Sequence, residues 1–179
     1  MTRLRTLSFL AAAATFLLAS VGGLVRATES GLGCPDWPTC HGRVIPPSRA
    51  HSLIEFSHRA IALAVIVMCF ALLVMALRHA RDRRDVLGPA AASVPMVLSQ
   101  AVLGAVVVAL ELDAESVVLH LALAMALLAV LIALFVNVSV PTPSSAVDGR
   151  FARGALHVAV ATLALMLLGS YVSGREAGL

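Results

Sequence analysis

Residues 59–77 read RAIALAVIVMCFALLVMAL, and Arg59 is the only charged residue among them. A helix needs about 20 mostly apolar residues to cross the hydrocarbon core of a bilayer, so this stretch predicts a membrane-spanning helix. Similar apolar segments predict four more spans, at Leu4–Val25, Gly88–Leu110, Val117–Val138 and Gly154–Val172. The predicted fold is therefore an all-α membrane protein with five transmembrane helices.

The composition of the whole chain favours the same class of protein. Of the 179 residues, 60% are hydrophobic and 13% are charged, and the mean hydropathy is +0.95. A soluble domain averages about 45–50% apolar and about 25% charged residues. All thirteen basic residues are arginines, and the net charge is only +3. A modest basic excess is typical of cytoplasmic membrane loops, so we expect membrane lipids and no nucleic acid as partners.

The first apolar segment has two interpretations. Arg3 and Arg5 precede it, as basic residues precede the apolar core of a secretory signal peptide. However, the segment is longer than the usual core of about 7–15 residues, and no small-x-small cleavage site follows it. An uncleaved membrane span is the favoured interpretation.

The distribution of arginines predicts the orientation of the chain. Eight of the thirteen arginines lie on one side, in the amino terminus, in RHARDRRD (78–85) and in the segment 150–153 before the fifth span. Positively charged loops stay in the cytoplasm. We therefore expect a multi-pass protein of the cell membrane with a cytoplasmic amino terminus, and an outer loop at residues 27–57.

The outer loop contains ESGLGCPDWPTCHGRVIPP at residues 29–47, with five residues between Cys34 and Cys40. Disulfides persist in an oxidising compartment, so a Cys34–Cys40 disulfide is favoured over two free thiols. Cys69 lies in the middle of the second span, where a packing role is expected.

Two histidines fall near the outer ends of spans, at a matched membrane depth. His58 begins the second span and His120 the fourth, each within about the first turn of the span. We expect two adjacent helices to direct these imidazoles at one iron, since histidine is a usual axial ligand of haem. Zinc or copper stays open as an alternative. Glu55 lies one helical turn before His58, either as part of this site or as an interfacial residue beside Arg59.

The remaining polar groups have less specific interpretations. We expect packing roles for Gln100 and Gly104 and solvated or interfacial positions for the other histidines, namely His41, His51, His79 and His157. The role of His41 stays open because it is adjacent to Cys40.

The end of the chain resembles the end of the first span. LLGSYVSGREAGL (167–179) aligns without gaps with SVGGLVRATESGL (20–32), which matches Gly169 to Gly22 and Glu176 to Glu29. Internal repeats are common in membrane folds. We expect residues 1–153 to form a four-helix haem-binding unit and residues 154–179 to be the first helix of a second, truncated repeat. A natural five-helix protein is the alternative.

Taken together, SGLGCPDWPTCHGRVIPP, IEFSHR, QAVLGAVVVALEL and LHLALA resemble the heme A synthase family, in order and over essentially the whole chain. The resemblance is to the amino-terminal half of the family and the start of its second half. Members usually have eight helices in two similar four-helix halves and oxidise the C8 methyl of heme O to the formyl group of heme A. The resemblance thus implies an oxidoreductase whose substrate is heme O.

The resemblance also implies roles for individual residues. His58 and His120 would face the iron of the substrate haem, Glu55 would be the acidic residue that the chemistry requires, and Cys34 and Cys40 would be the loop pair. A heme b is expected only in the absent second half. Heme O synthase and a second copy of the chain are the implied protein partners.

Two other functions fit parts of the sequence. A membrane thiol–disulfide oxidoreductase would cycle Cys34 and Cys40 against a quinone, although a Cys-x-x-Cys motif and a second cysteine pair are missing. A b-type haem anchor that only relays electrons would explain His58 and His120 but would give Glu55 no task.

Overall fold

A computed structural model of the chain describes residues 1–140 and 149–176. These residues form five helices: α1 (Thr2–Ala27), α2 (Ala50–His79), α3 (Arg84–Ala109), α4 (Ala114–Ser139) and α5 (Gly149–Glu176). Each helix is long and apolar enough to cross a membrane. The prediction of an all-α, multi-pass membrane protein is confirmed.

The start of α2 differs from the sequence expectation. The helix begins at Ala50, nine residues before the predicted span, so the loop is shorter than 27–57 and Glu55 lies inside the helix. Hydropathy missed this part of the helix because five of its nine residues, AHSLIEFSH (50–58), are polar. They do not need to be apolar, because they pack against the loop: the Ser52 hydroxyl donates to the Gly33 carbonyl at 2.7 Å.

The first four helices form a closed ring. α1 packs against α2, α2 against α3, α3 against α4, and α4 against α1, while the diagonal pairs α1/α3 and α2/α4 make no helix–helix contact within the described ranges. Short connections make consecutive helices antiparallel, as in other four-helix bundles. The loop at residues 28–49 and the 110–113 turn therefore lie at the same end of the bundle, which we call the loop end.

The close-packed core lies toward the opposite end of the ring. It is made of buried side chains from all four helices. They lie within Leu4–Ala12 of α1, Val65–Ala76 of α2 with the C-cap residue Ala80, Val86–Val97 of α3 and Leu127–Leu134 of α4. Cys69 is a free, buried member of this core, which agrees with its expected packing role.

Nearer the loop end, each helix of the ring has a stretch without a single buried side chain. These stretches are residues 16–24 of α1, 56–64 of α2, 98–106 of α3 and 117–126 of α4, and we call them the open band. Nine or ten residues correspond to about 14 Å of helix at a rise of about 1.5 Å per residue. Protein interiors are normally close-packed, so the lack of a buried side chain at this level indicates looser packing than in the core.

The fifth helix packs on the outside of the ring, against α4. The Arg26 guanidinium, at the end of α1, donates to the Ser170 hydroxyl at 3.1 Å and to the Ser170 carbonyl at 2.9 Å. The division into residues 1–153 and a second repeat from 154 stays a prediction. The matched residues Gly178 and Leu179 lie outside the described part of the chain.

Candidate active site

His58 and His120 both lie in the open band, on α2 and α4. The expectation that their helices are adjacent was wrong, because α2 and α4 are diagonal partners in the ring. His58 also lies in the third turn of α2 and His120 in the second turn of α4, rather than in the first. Two histidines on diagonal helices approach the bundle interior from opposite sides, which is the arrangement that a planar ligand with two axial bonds requires.

Both imidazoles are held close to glycines of the neighbouring helices. A Cβ atom on Gly22 of α1 would lie 3.2 Å from Cε1 of His58, and one on Gly104 of α3 would lie 3.4 Å from Cε1 of His120. From the sequence, Gly104 was expected to have only a packing role, and no role at the site was predicted for Gly22. Small residues let a helix and a bulky side chain approach each other closely.

Neither imidazole has its hydrogen-bonding capacity satisfied by the protein. The Nδ1 atoms of His58 and His120 are buried and lack a hydrogen-bond partner among residues 1–140 and 149–176. The Leu18 carbonyl approaches the His58 ring from α1 but lies outside hydrogen-bond geometry. Buried polar groups without partners are rare and costly, so two of them at one level indicate a ligand site.

Gln100 connects α3 to the backbone beside His120. Its side-chain Nε2 donates to the His120 carbonyl at 2.9 Å. A hydrogen bond between membrane helices restricts how they can shift or rotate. The sequence showed that Gln100 is a polar residue in an apolar span but not which helix it would bond.

Glu55 is buried beside the site and ion-paired with Arg59. Its Oε1 accepts from Arg59 Nε at 3.0 Å, and the two side chains are only 7% and 14% exposed. Both residues lie near the amino-terminal end of α2, at the loop end of the bundle, and are one helical turn apart. A carboxylate and a guanidinium at this depth are costly to bury unless they are paired and hydrogen-bonded.

The loop at residues 28–49 covers this end of the bundle and contains a disulfide. Cys34 and Cys40 are bonded, with their Cα atoms 4.5 Å apart, and both are fully buried. The predicted disulfide is confirmed. The fully buried Ser30 hydroxyl pairs with His51 Nδ1 at 3.0 Å and so ties the start of the loop to the first turn of α2.

A turn inside the loop is organised by Asp36. Its carboxylate accepts hydrogen bonds from the Thr39 hydroxyl and from the backbone N–H groups of His41 and Gly42. The Thr39 hydroxyl, with the Gly42 N–H next, lowers the pKa of Asp36 from 3.8 to about 2. His41 belongs to this turn, with φ of 55°, and its Nε2 lies 3.1 Å from the Gly33 carbonyl. The contacts of His41 are therefore those of a loop residue.

The donor set suits a haem better than a bare metal ion. Where the structure describes the chain, no group of three or more His, Cys, Asp or Glu residues could hold an ion by itself. A haem iron already has four porphyrin nitrogens and needs only axial ligands, which two histidines can provide. The buried, unpartnered Nδ1 atoms and the open band fit such a group.

Comparison with known proteins agrees with this chemistry. Residues 5–179 match the COX15-CtaA family, described as cytochrome oxidase assembly protein. A heme A synthase of Exiguobacterium sibiricum is 39% identical over 106 residues, which are 56% of this chain and 36% of that protein. A heme A synthase of Staphylococcus saprophyticus is 35% identical over 121 residues, which are 65% of this chain and 40% of that protein.

A third relative has a different printed name. A Thermus thermophilus protein named protoheme IX farnesyltransferase is 48% identical over 64 residues, which are 35% of this chain and 10% of that protein. The chain thus spans roughly two-fifths or less of the curated relatives named here. Because the family match extends over nearly the whole chain, the chain belongs to the heme A synthase family of cytochrome oxidase assembly proteins.

Proposed function

We propose that this chain takes part in heme A biosynthesis by binding heme O in the open band and oxidising its C8 methyl to a formyl group. The observation that carries this proposal is the pair of diagonal histidines, His58 and His120, whose buried Nδ1 atoms have no hydrogen-bond partner in the part of the chain that the structure describes. Family membership favours heme O over other haems as the ligand. A heme b belongs, in this proposal, to a second four-helix unit of the kind that residues 154–179 would begin.

In this proposal, His58 and His120 would hold the haem through its iron. Gly22 and Gly104 leave room for the two rings, and Gln100 holds the His120 turn of α4 in register. Haem supplies the redox chemistry when bound, and the protein supplies position and electrostatics. The apolar walls of the bundle exclude water from the reacting methyl.

Glu55 is the acid–base group of the proposal. Overall, conversion of the methyl to the formyl group takes one oxygen atom from water and releases four protons together with four electrons, which pass to an external electron acceptor. A buried carboxylate near the ring edge accepts such protons or stabilises positive charge that develops on the ring. Arg59 is the ion-pair partner of that carboxylate.

The supply of heme O points to one protein partner, heme O synthase. Heme O carries a farnesyl chain, and the relative from Thermus thermophilus is named for farnesyl transfer to protoheme. The matched 64 residues are only 10% of that protein, so most of it consists of other sequence. In this proposal, the relative named for farnesyl transfer to protoheme supports heme O synthase as the partner that supplies heme O.

The orientation follows from the arginines. We place the amino terminus in the cytoplasm and the loop end, with Glu55 and the disulfide, at the outer face of the cell membrane. The loop then has the oxidising environment in which Cys34–Cys40 persists.

The test is haem binding and conversion in the purified protein. We expect His58→Ala and His120→Ala each to lower bound haem at least about tenfold, since each variant removes one axial ligand. His157→Ala, on the exposed α5, is the matched control and keeps haem bound. Full haem occupancy with a wild-type spectrum in both site variants would refute the site.

Conversion is measured separately, as heme O lost and heme A formed by chromatography of extracted haem. We expect Glu55→Gln to retain haem and lose conversion, which distinguishes the enzyme from an electron-relay anchor. Unchanged conversion in Glu55→Gln would favour the anchor.

The thiol–disulfide oxidoreductase has less support, because both sulfurs are fully buried.

A further inference from the structure

Arg59 has contacts that the proposed chemistry does not use. Besides the bond to Glu55, its Nη1 donates to the carbonyls of Asp36 at 2.7 Å and Thr39 at 2.9 Å. Its Nη2 donates to the Cys34 carbonyl at 2.8 Å. A single guanidinium thus joins the buried carboxylate of α2 to three points of the loop backbone.

The three loop carbonyls have one property in common. Cys34, Asp36 and Thr39 all lie within the ring that the Cys34–Cys40 disulfide closes. Disulfide closure restricts the backbone conformations open to these residues, so their carbonyls are held in position for the planar fork of a guanidinium. Without the disulfide, the ring would have many more conformations, and few of them would present all three acceptors to Arg59.

The exposure of the pair argues against an ordinary surface ion pair. Exposed i,i+4 pairs contribute little to stability and are screened by solvent. Arg59 and Glu55 are instead 14% and 7% exposed, and the carbonyls satisfy donors that Glu55 alone could not. A buried pair of this kind holds its carboxylate in a defined position only while every donor is occupied.

We propose that Arg59 is a positioning residue: it fixes the Glu55 carboxylate to the disulfide-closed ring, so that the integrity of Cys34–Cys40 sets the position of Glu55. The link between Arg59, Glu55 and the disulfide-closed ring does not depend on the proposed function. Its expected effect on the rate of heme O conversion does rest on the proposed function. Because the link acts in both directions, a change at Glu55 alters how readily the disulfide is reduced. Opening the disulfide in turn alters the position of the Glu55 carboxylate.

The first experiment measures the link without any catalysis. In the full-length protein, a charged phosphine reduces Cys34–Cys40, and a maleimide traps the released thiols. Mass spectrometry of the loop peptide separates them from Cys69. We expect Arg59→Lys to speed reduction about tenfold, because an ammonium cannot replace the planar fork of donors. Glu55→Gln, which leaves the loop sequence intact, is expected to speed it at least about threefold by removing the charge that anchors Arg59.

Glu115→Gln is the matched control for the carboxylate-to-amide change. It lies at the same end of the bundle, and its carboxylate is exposed and 3.9 Å from Arg175. The control keeps the wild-type reduction rate. If Glu55→Gln also reduces at the wild-type rate while Arg59→Lys is faster, Arg59 only holds the loop and the proposal is overturned. Equal rates in all variants overturn it as well.

The second experiment measures conversion of heme O per bound haem. We expect Arg59→Lys and the Cys34→Ser/Cys40→Ser variant each to lower conversion about tenfold with haem still bound. Wild-type conversion per bound haem in either variant would overturn the positioning role. If the wild-type protein binds haem but forms no heme A, the proposed function fails, and the reduction rates still decide whether the link exists.

Discussion

A Cβ atom on Gly22 would lie 3.2 Å from Cε1 of His58, closer than a side chain normally tolerates, whereas one on the next residue, Gly23, would meet nothing within 4 Å. Two consecutive glycines of α1 therefore have different roles. The first makes room for an imidazole of the candidate site, and the second faces open space.

This difference gives a prediction with an internal control. In a helix, glycine is about 0.5–1 kcal/mol less stable than alanine, so Gly23→Ala should stabilise the protein by about that amount. Gly22→Ala should lose this gain, since overpacking a tight contact costs about 1–3 kcal/mol, and should weaken haem binding about tenfold. Denaturation in detergent and haem titration measure the two effects. Equal haem affinity in both variants would contradict the proposed role of Gly22.

Gly104→Ala should have a smaller effect on haem binding than Gly22→Ala. Its Cβ atom would lie 3.4 Å from Cε1 of His120, which is close to an ordinary van der Waals contact. We expect haem affinity to fall less than about threefold and stability to rise by about 0.5 kcal/mol, since the helix gains an alanine. The same titration measures both variants, and a larger loss of haem at Gly104 than at Gly22 would be inconsistent with the geometry.

Removal of the Gln100 hydrogen bond should change the orientation of His120 but lower the stability of the fold only slightly. Hydrogen bonds between membrane helices average about 0.6 kcal/mol, so Gln100→Leu should lower the unfolding free energy by about this amount. The bound-haem spectrum should broaden, because α4 gains freedom to rotate at His120. Gln100→Asn keeps an amide but shortens its reach and should behave like Gln100→Leu. A wild-type spectrum in both variants would show that the bond does not orient His120.

The turn at Asp36 should lose stability only at strongly acidic pH. Its pKa is about 2 in the folded loop and 3.8 as the ordinary value, so the folded turn favours the charged carboxylate. This stabilisation is fully present above about pH 4 and is lost as the pH falls toward 2. Amide exchange at His41 and Gly42, corrected for its intrinsic pH dependence, should accelerate over this interval.

Asp36→Asn is the control for this pH dependence. An amide retains an acceptor but no titratable charge, so exchange at His41 and Gly42 should be faster than in the wild type at neutral pH. It should then show no further change between pH 4 and 2. A wild-type step that persists in Asp36→Asn would assign the titration to another group.

The sequence by itself determined the five membrane helices, because a bilayer imposes length and apolarity on each span separately and both can be read locally. It also predicted the Cys34–Cys40 bond, because the arginines place the loop in an oxidising compartment, where disulfides persist. Family-specific motifs added heme A synthase membership, and the polar residues at matched depth selected Glu55, His58 and His120 as the candidate site.

Only the tertiary structure decided how these pieces meet. Which helices pack together decides three features: the start of α2 at Ala50, the diagonal positions of His58 and His120, and the Gly22 contact. The apolar faces of the helices are similar in composition, so the sequence does not show which faces pack against each other. The role of Arg59 was hidden for the same reason: its acceptors are backbone carbonyls, which every residue carries, so only their positions in the folded loop identify them.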